Sequence, residues 1–176
     1  GFITKMDIYI WKRSCAEIKC WNSKGYNLIP ISLNISRADI YKTNLAETLS
    51  RITQTYDLSP SQLQLEFTES SYAENPNQII NIVSHLKKLG YIIAIDDFGS
   101  GYSSLNMLNQ MPFDILNLDI SLIKAENVRL PSDKGMLKFI IELAHWLNLN
   151  VVAKGVETEE QFQHLCEIGC DHVQGY

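Results

Sequence analysis

The sequence has no apolar run approaching the roughly 18 residues of a membrane-spanning helix, no cluster of basic residues and no CxxC pair. The opening GFITKMD also lacks the basic region and long apolar core of a secretory signal. The chain is therefore expected to be cytoplasmic and to have no membrane partner, any anchor belonging to another part of a parent protein. Lys and Arg number 15 against 20 Asp and Glu, a formal net charge of −5. That balance excludes a broad positive face for a long nucleic acid, but not a local site for one anionic ligand. The four cysteines, Cys15, Cys20, Cys166 and Cys170, match no CxxC-type zinc spacing. They lie in or beside apolar helical patterns and read as reduced packing residues rather than a disulfide framework.

What the chain does contain is 176 residues, 45% of them hydrophobic, enough for one globular core. Helical and extended patterns alternate along it. Residues 4–24 place Met6, Ile10, Ala16 and Trp21 among charges, a helix ending at Gly25. Strands are predicted at 28–36, 62–70, 91–99, 113–119 and 149–156, with a last one beginning in CDHVQGY. Helices are predicted at 39–56, 76–89, 133–147 and 158–169, and a short one ends near Met111. YIIAIDDFG is an almost continuous apolar run ending in two acids, as suits a strand buried on both faces. Six strands alternating with helices predict an α/β fold with a parallel sheet and right-handed crossovers.

Polar residues recur where the strands end: Asn34, Glu66, Asp96, Asp97, Asn117, Asp119 and Lys154. An open doubly wound sheet would gather them at one switch point. Their spread over successive strands favours a (β/α) barrel, which builds its site at the carboxyl ends of the strands. The oxygen-rich set Asn34, Glu66 and Asp96 suits Mg²⁺, Mn²⁺ or Ca²⁺, with Asp97 reaching a second ion or holding the ligands. Two such ions suit in-line displacement on a phosphodiester. The same acids would also serve to pair with lysines or cap helices. DFGSGYSS supplies glycines and hydroxyls to fold over a phosphate or simply to make a turn.

The motifs SLNIS, LEFTES, AIDDFGSGYSSLNML, ILNLDIS, VVAKGVETEEQ and GCDHVQGY occur in order along the chain. Together they resemble the EAL domain family, bacterial modules that recognise cyclic di-GMP and hydrolyse it to pGpG with Mg²⁺ or Mn²⁺. The resemblance implies a TIM-like (β/α) barrel and makes residues 1–176 a partial EAL domain. The opening strands, one of which carries the EAL tripeptide, and the extreme C-terminal end are expected to be missing. Six strands would stand where a closed barrel has eight. Ile31, Leu33 and Leu65 would then meet water at an open edge.

Carried over by motif, Asn34, Glu66 and Asp96 match metal ligands, and Asp97 the second acid at the metal centre. Glu69 matches the residue that steadies the DDFG loop, and Glu157 and Gln174 match supporting residues of the substrate cleft. Gly99, Ser100 and Gly101 fall in the loop expected at the ligand. Two catalytic positions depart from the pattern. Asn117 stands for the lysine at the catalytic water, and an amide supplies no charge to it. Lys154 stands for the glutamate that positions or deprotonates that water, and a protonated lysine takes no proton. Lys154 either reaches into the space of the lost lysine, as compensation, or, the favoured reading, pairs its ammonium with Asp97 or Glu66 and partly replaces a metal ion, which leaves metal binding weak or absent. Three functions follow: a catalytically impaired receptor or regulatory module for cyclic di-GMP, an active metal-dependent phosphodiesterase, and a structural module that binds no nucleotide. The expected partners are cyclic di-GMP, a second copy in a homodimer, and other signalling domains of a parent protein.

Overall fold

The computed structural model describes residues 1–26, 29–42, 44–99, 105–119, 121–122 and 135–176. The chain forms two compact units, residues 1–67 with 71–93 and residues 68–70 with 94–176.

In the first unit, α1 (Phe2–Ser23) precedes β1 (Ile31–Ile35), α2 (Arg37–Lys42) and α3 (Leu45–Tyr56). Then come a 3₁₀ turn at Pro60–Gln62, β2 (Leu63–Thr68), α4 (Glu69–Glu74) and α5 (Pro76–Lys88). Alternation along β1 and β2 buries Leu33, Ile35, Leu63, Leu65 and Phe67. The two strands pair in parallel, with Asn34 opposite Glu66. α1 is the helix the sequence predicts, but its inner face is a different one. Trp11, Cys15 and Ile18 are buried at helical spacing, while Met6, Ile10 and Trp21 are exposed. Apolar residues lie on both sides of this helix, so periodicity reveals the helix without fixing its inward face. Trp11 Nε1 donates to the Asn34 carbonyl at 3.3 Å, which ties α1 to β1. The expected exposure of Leu33 and Leu65 is corrected: they are 3% and 0% exposed.

The predicted helix at 39–56 is two helices, with Asn44 at the N-cap of α3. α5 begins with Asn75 accepting from the Gln78 amide and Pro76 in the first turn. It carries His85, Lys87 and Lys88 in its last turn, where the helix dipole favours cations.

The second unit runs through β3 (Ile92–Phe98, its first two residues in the first unit), α6 (Leu105–Gln110), β4 (Ile115–Leu118) and α7 (Met136–Trp146). It ends with β5 (Asn150–Val156), α8 (Glu159–Glu167) and β6 (His172–Gly175). The pairings β3–β4, β4–β5 and β5–β6 are all parallel, as the β–α alternation predicts. Ala94, Ile95, Leu116, Leu118, Val151 and Ala153 fill the strand layer, and Leu137, Ile141 and Ala144 of α7 and Leu165 of α8 are buried with them. The Asp171 carboxylate accepts from the Val151 amide at 2.8 Å and pairs with His145 Nε2 at 2.9 Å, joining β5, α7 and the start of β6. No helix among the described residues is long and apolar enough to cross a membrane. All four cysteines are free of disulfides, and burial pushes the Cys15 thiol up to about 11.

Candidate functional site

Strict strand alternation would point Asp96 and Asp97 to opposite faces of β3. The strand is also irregular at this point. Ile95 pairs with Leu116 and Phe98 with Leu118, so β3 spends one more residue than β4 over the same interval. The extra residue is a β-bulge, and Asp97 takes the left-handed conformation at φ 55°. Aspartate is among the few residues that tolerate this region. Asp96 stays buried at 8% exposure while Asp97 is exposed.

A second shift lies at the end of β5, where Lys154 pairs with Gln174 and Val156 with Gly175. Gly155 carries this bulge at φ 77°, a conformation that costs glycine little. Gly175 is required for a different reason. A Cβ there would run into the backbone of Val156.

The two irregular strand ends and β4 converge on one oxygen. Asp96 Oδ1 accepts from Lys154 Nζ at 2.5 Å and from Asn117 Nδ2 at 3.2 Å. Asn117 is 1% exposed, and the side chains of Lys154 and Asp96 are 25% and 12% exposed. This part-buried charge pair is held by hydrogen bonds as well as by Coulomb attraction. The sequence points to Asp97 or Glu66 as the acid receiving the Lys154 ammonium. Asp96, itself a predicted metal ligand, receives it through Oδ1.

Other predicted residues fall into smaller groups. Glu69, 9% exposed, accepts from the Gly99 amide through Oε2 at 3.3 Å, so a carboxylate reaches the start of the loop after β3. Glu157 is exposed and its amide donates to Gln161 Oε1 at 2.8 Å, at the start of α8. It shares a cavity of about 320 Å³ with Phe162, Val173 and Tyr176. Gln174 is exposed on β6 opposite Lys154. In the first unit, Asn34 and Glu66 are cross-strand partners, and Gln64 Nε2 donates to Glu66 Oε1 at 3.3 Å. Ser100 and Gly101 lie outside the described residues. Sequence reasoning overlooked Gly155 and Gly175, although each glycine sits directly beside a site position, Lys154 or Gln174.

The geometry does not suit a divalent ion at Asp96. A metal at Asp96 Oδ1 would have to share that oxygen with an ammonium and an amide N–H, and site affinity rises with anionic ligands, not cationic ones. Among the described residues no three His, Cys, Asp or Glu side chains are placed to hold a metal ion together. What the arrangement offers instead is a fixed positive group at a strand end, beside a carboxylate it neutralises.

The family model described as EAL domain matches residues 1–176. The signaling protein YkoW of Bacillus subtilis is 36% identical over 176 residues, which cover 100% of this chain and 22% of that protein. The cyclic di-GMP phosphodiesterase NbdA of Pseudomonas aeruginosa is 33% identical over 179 residues, covering 100% of this chain and 22% of its own length. The chain thus spans about a fifth of the length of these relatives. A solved structure of the PaMucR phosphodiesterase in complex with c-di-GMP superimposes with a TM-score of 0.91 at 32% identity, covering 99% of this chain and 70% of that one. The fold is accordingly α/β of the TIM-like (β/α) type, here with six strands.

Proposed function

Since the chain belongs to the EAL domain family, we propose that it recognises cyclic di-GMP as a receptor or regulatory module of a larger cytoplasmic signalling protein, and that its hydrolytic step is impaired. The observation that carries this reading is the triad at Asp96, whose Oδ1 receives both Lys154 Nζ and Asn117 Nδ2. Hydrolysis of a phosphodiester needs an activated water. Lys154 and Asn117 are hydrogen-bond donors toward Asp96, and an ammonium cannot accept the proton that an attacking water must lose. Recognition is less affected. Glu69 keeps its hold on the Gly99 amide, and Asn34 and Glu66 keep their shared register. A homodimer is a further expectation of the same reading.

The retained Asp96, Glu66 and Asn34 favour a second reading, an active phosphodiesterase, and NbdA is named for that activity. Calorimetric titration of the chain with cyclic di-GMP tests the first reading against a module that binds no nucleotide. Saturable binding, weakened by Glu69→Ala, is the expected result. A folded protein that releases no heat with cyclic di-GMP, with or without Mg²⁺, refutes it.

A further inference from the structure

A family acid is replaced at Lys154 by a cation, so the local charge changes by two units and not by one. An anion is lost and a positive charge gained. The structure shows where that charge goes. Lys154 Nζ lies 2.5 Å from Asp96 Oδ1, and Asn117 Nδ2 reaches the same oxygen at 3.2 Å. The Gly155 bulge sets the register that delivers the lysine, because after Lys154 and Gln174 the strand gains one residue before Val156 meets Gly175. The lysine side chain keeps 25% of its surface open to solvent, so an anionic ligand can reach it.

We propose that Lys154 is a tethered cation standing where a divalent ion would sit on Asp96, and that it makes recognition of a cyclic dinucleotide phosphodiester in this chain independent of metal. The ligand part of this inference rests on the reading above; the metal part does not. A divalent ion can reach Asp96 Oδ1 only by displacing the ammonium and then lying against it. A phosphodiester oxygen meets the opposite situation, a partly exposed ammonium already positioned by its carboxylate partner. Lysine binds phosphate as a point charge and needs no fixed bidentate geometry. Lys154 is thus a specificity-determining residue of the site.

The test has two arms on the full chain, each with wild type, Lys154→Glu and Lys154→Met. In the first, Mn²⁺ alone is titrated and followed by electron paramagnetic resonance. Wild type should show no saturable site, whereas Lys154→Glu should gain one. Equal Mn²⁺ binding by wild type and Lys154→Glu overturns the proposal. In the second, cyclic di-GMP affinity is measured in EDTA and in excess Mg²⁺. Metal and ligand couple reciprocally, so wild type should differ by less than about twofold between the two, and Lys154→Glu by about tenfold or more. Lys154→Met should lose affinity in EDTA while remaining folded, with some loss in melting temperature because Asp96 loses its cation. Undiminished binding by Lys154→Met, or a tenfold gain of wild type in Mg²⁺, contradicts the tethered cation. Absence of nucleotide binding in every variant sinks the receptor reading and leaves the Mn²⁺ arm to decide whether Lys154 excludes a metal.

Discussion

On the proposed reading, the balance between catalysis and recognition at Asp96 comes down to which groups share one carboxylate oxygen. Lys154 and Asn117 both donate to it, so the two departures from the family pattern act as one unit. Their losses should not multiply. In a domain that carries the family's EAL glutamate, Lys154→Glu with Asn117→Lys is expected to raise pGpG release at least about a hundredfold, the low end of a restored acid–base group. Lys154→Glu alone should recover metal affinity first, because it returns an anion to Asp96's surroundings. Asn117→Lys alone should do little, since it adds a second cation beside the first. Timed chromatography of pGpG for the parent, both singles and the double checks this. A double variant no faster than its parent places the lesion elsewhere.

At the scale of the element, the two bulges aim the strand ends, and the glycines permit them. Gly175→Ala would drive a Cβ into the Val156 backbone and break the β5–β6 register. A loss of about 1–3 kcal/mol is expected by denaturant titration, the usual cost of overpacking. An unchanged midpoint would mean that β6 shifts freely. α8 offers a milder case: Thr158 Oγ1 accepts from the Gln161 amide at 3.2 Å and Gln161 Oε1 accepts from the Thr158 amide at 3.1 Å. Thr158→Ala should cost about 1 kcal/mol, while Thr158→Ser should cost little, and equal losses would show that the hydroxyl is not the cap. The reciprocal Thr–Gln pattern is readable in TEEQ, as are the strands that carry Asn34, Asp97 and Lys154. The break before α3 had its own signal, Asn44 followed three residues later by Glu47, whose carboxylate accepts from Asn44 Nδ2 at 2.8 Å. α4 starting at Glu69 had none, because six residues are too few to show a helical period. The pairing of Lys154 with Asp96 was not legible either. Alternation places neighbouring side chains on opposite faces, and only the register of β3 against β4 reveals the extra residue at Asp96 and Asp97.

Across the whole molecule, two carboxylates give stability opposite dependences on pH. Asp39 is fully buried, and desolvation together with the neighbouring Asp7 raises its pKa from 3.8, against the lowering effect of its bonds from Ser36. A raised carboxyl pKa costs stability as pH climbs above 3.8 through the folded value. Asp39→Asn keeps an acceptor for Ser36 and gains a donor for Asp7, so its advantage over wild type should grow between about pH 4 and pH 7. Burial alone would raise Asp171, but the Val151 amide and His145 outweigh it and lower its pKa below 3.8. That contribution is present above 3.8 and is lost as pH falls through the folded value. Asp171→Asn should therefore be destabilised at neutral pH and converge on wild type in acid. Melting curves for the two variants across pH that run parallel to wild type would remove both assignments.

Because the surroundings of Asp96 donate hydrogen bonds where hydrolysis needs a proton acceptor, the fate of bound nucleotide is the most direct measurement. Cyclic di-GMP is incubated with the protein in Mg²⁺, and both the retained ligand and the pGpG formed are quantified by chromatography over time. The expected result is ligand that co-elutes with the protein and is recovered intact. Steady accumulation of pGpG by the unmutated protein would contradict the impaired-receptor reading.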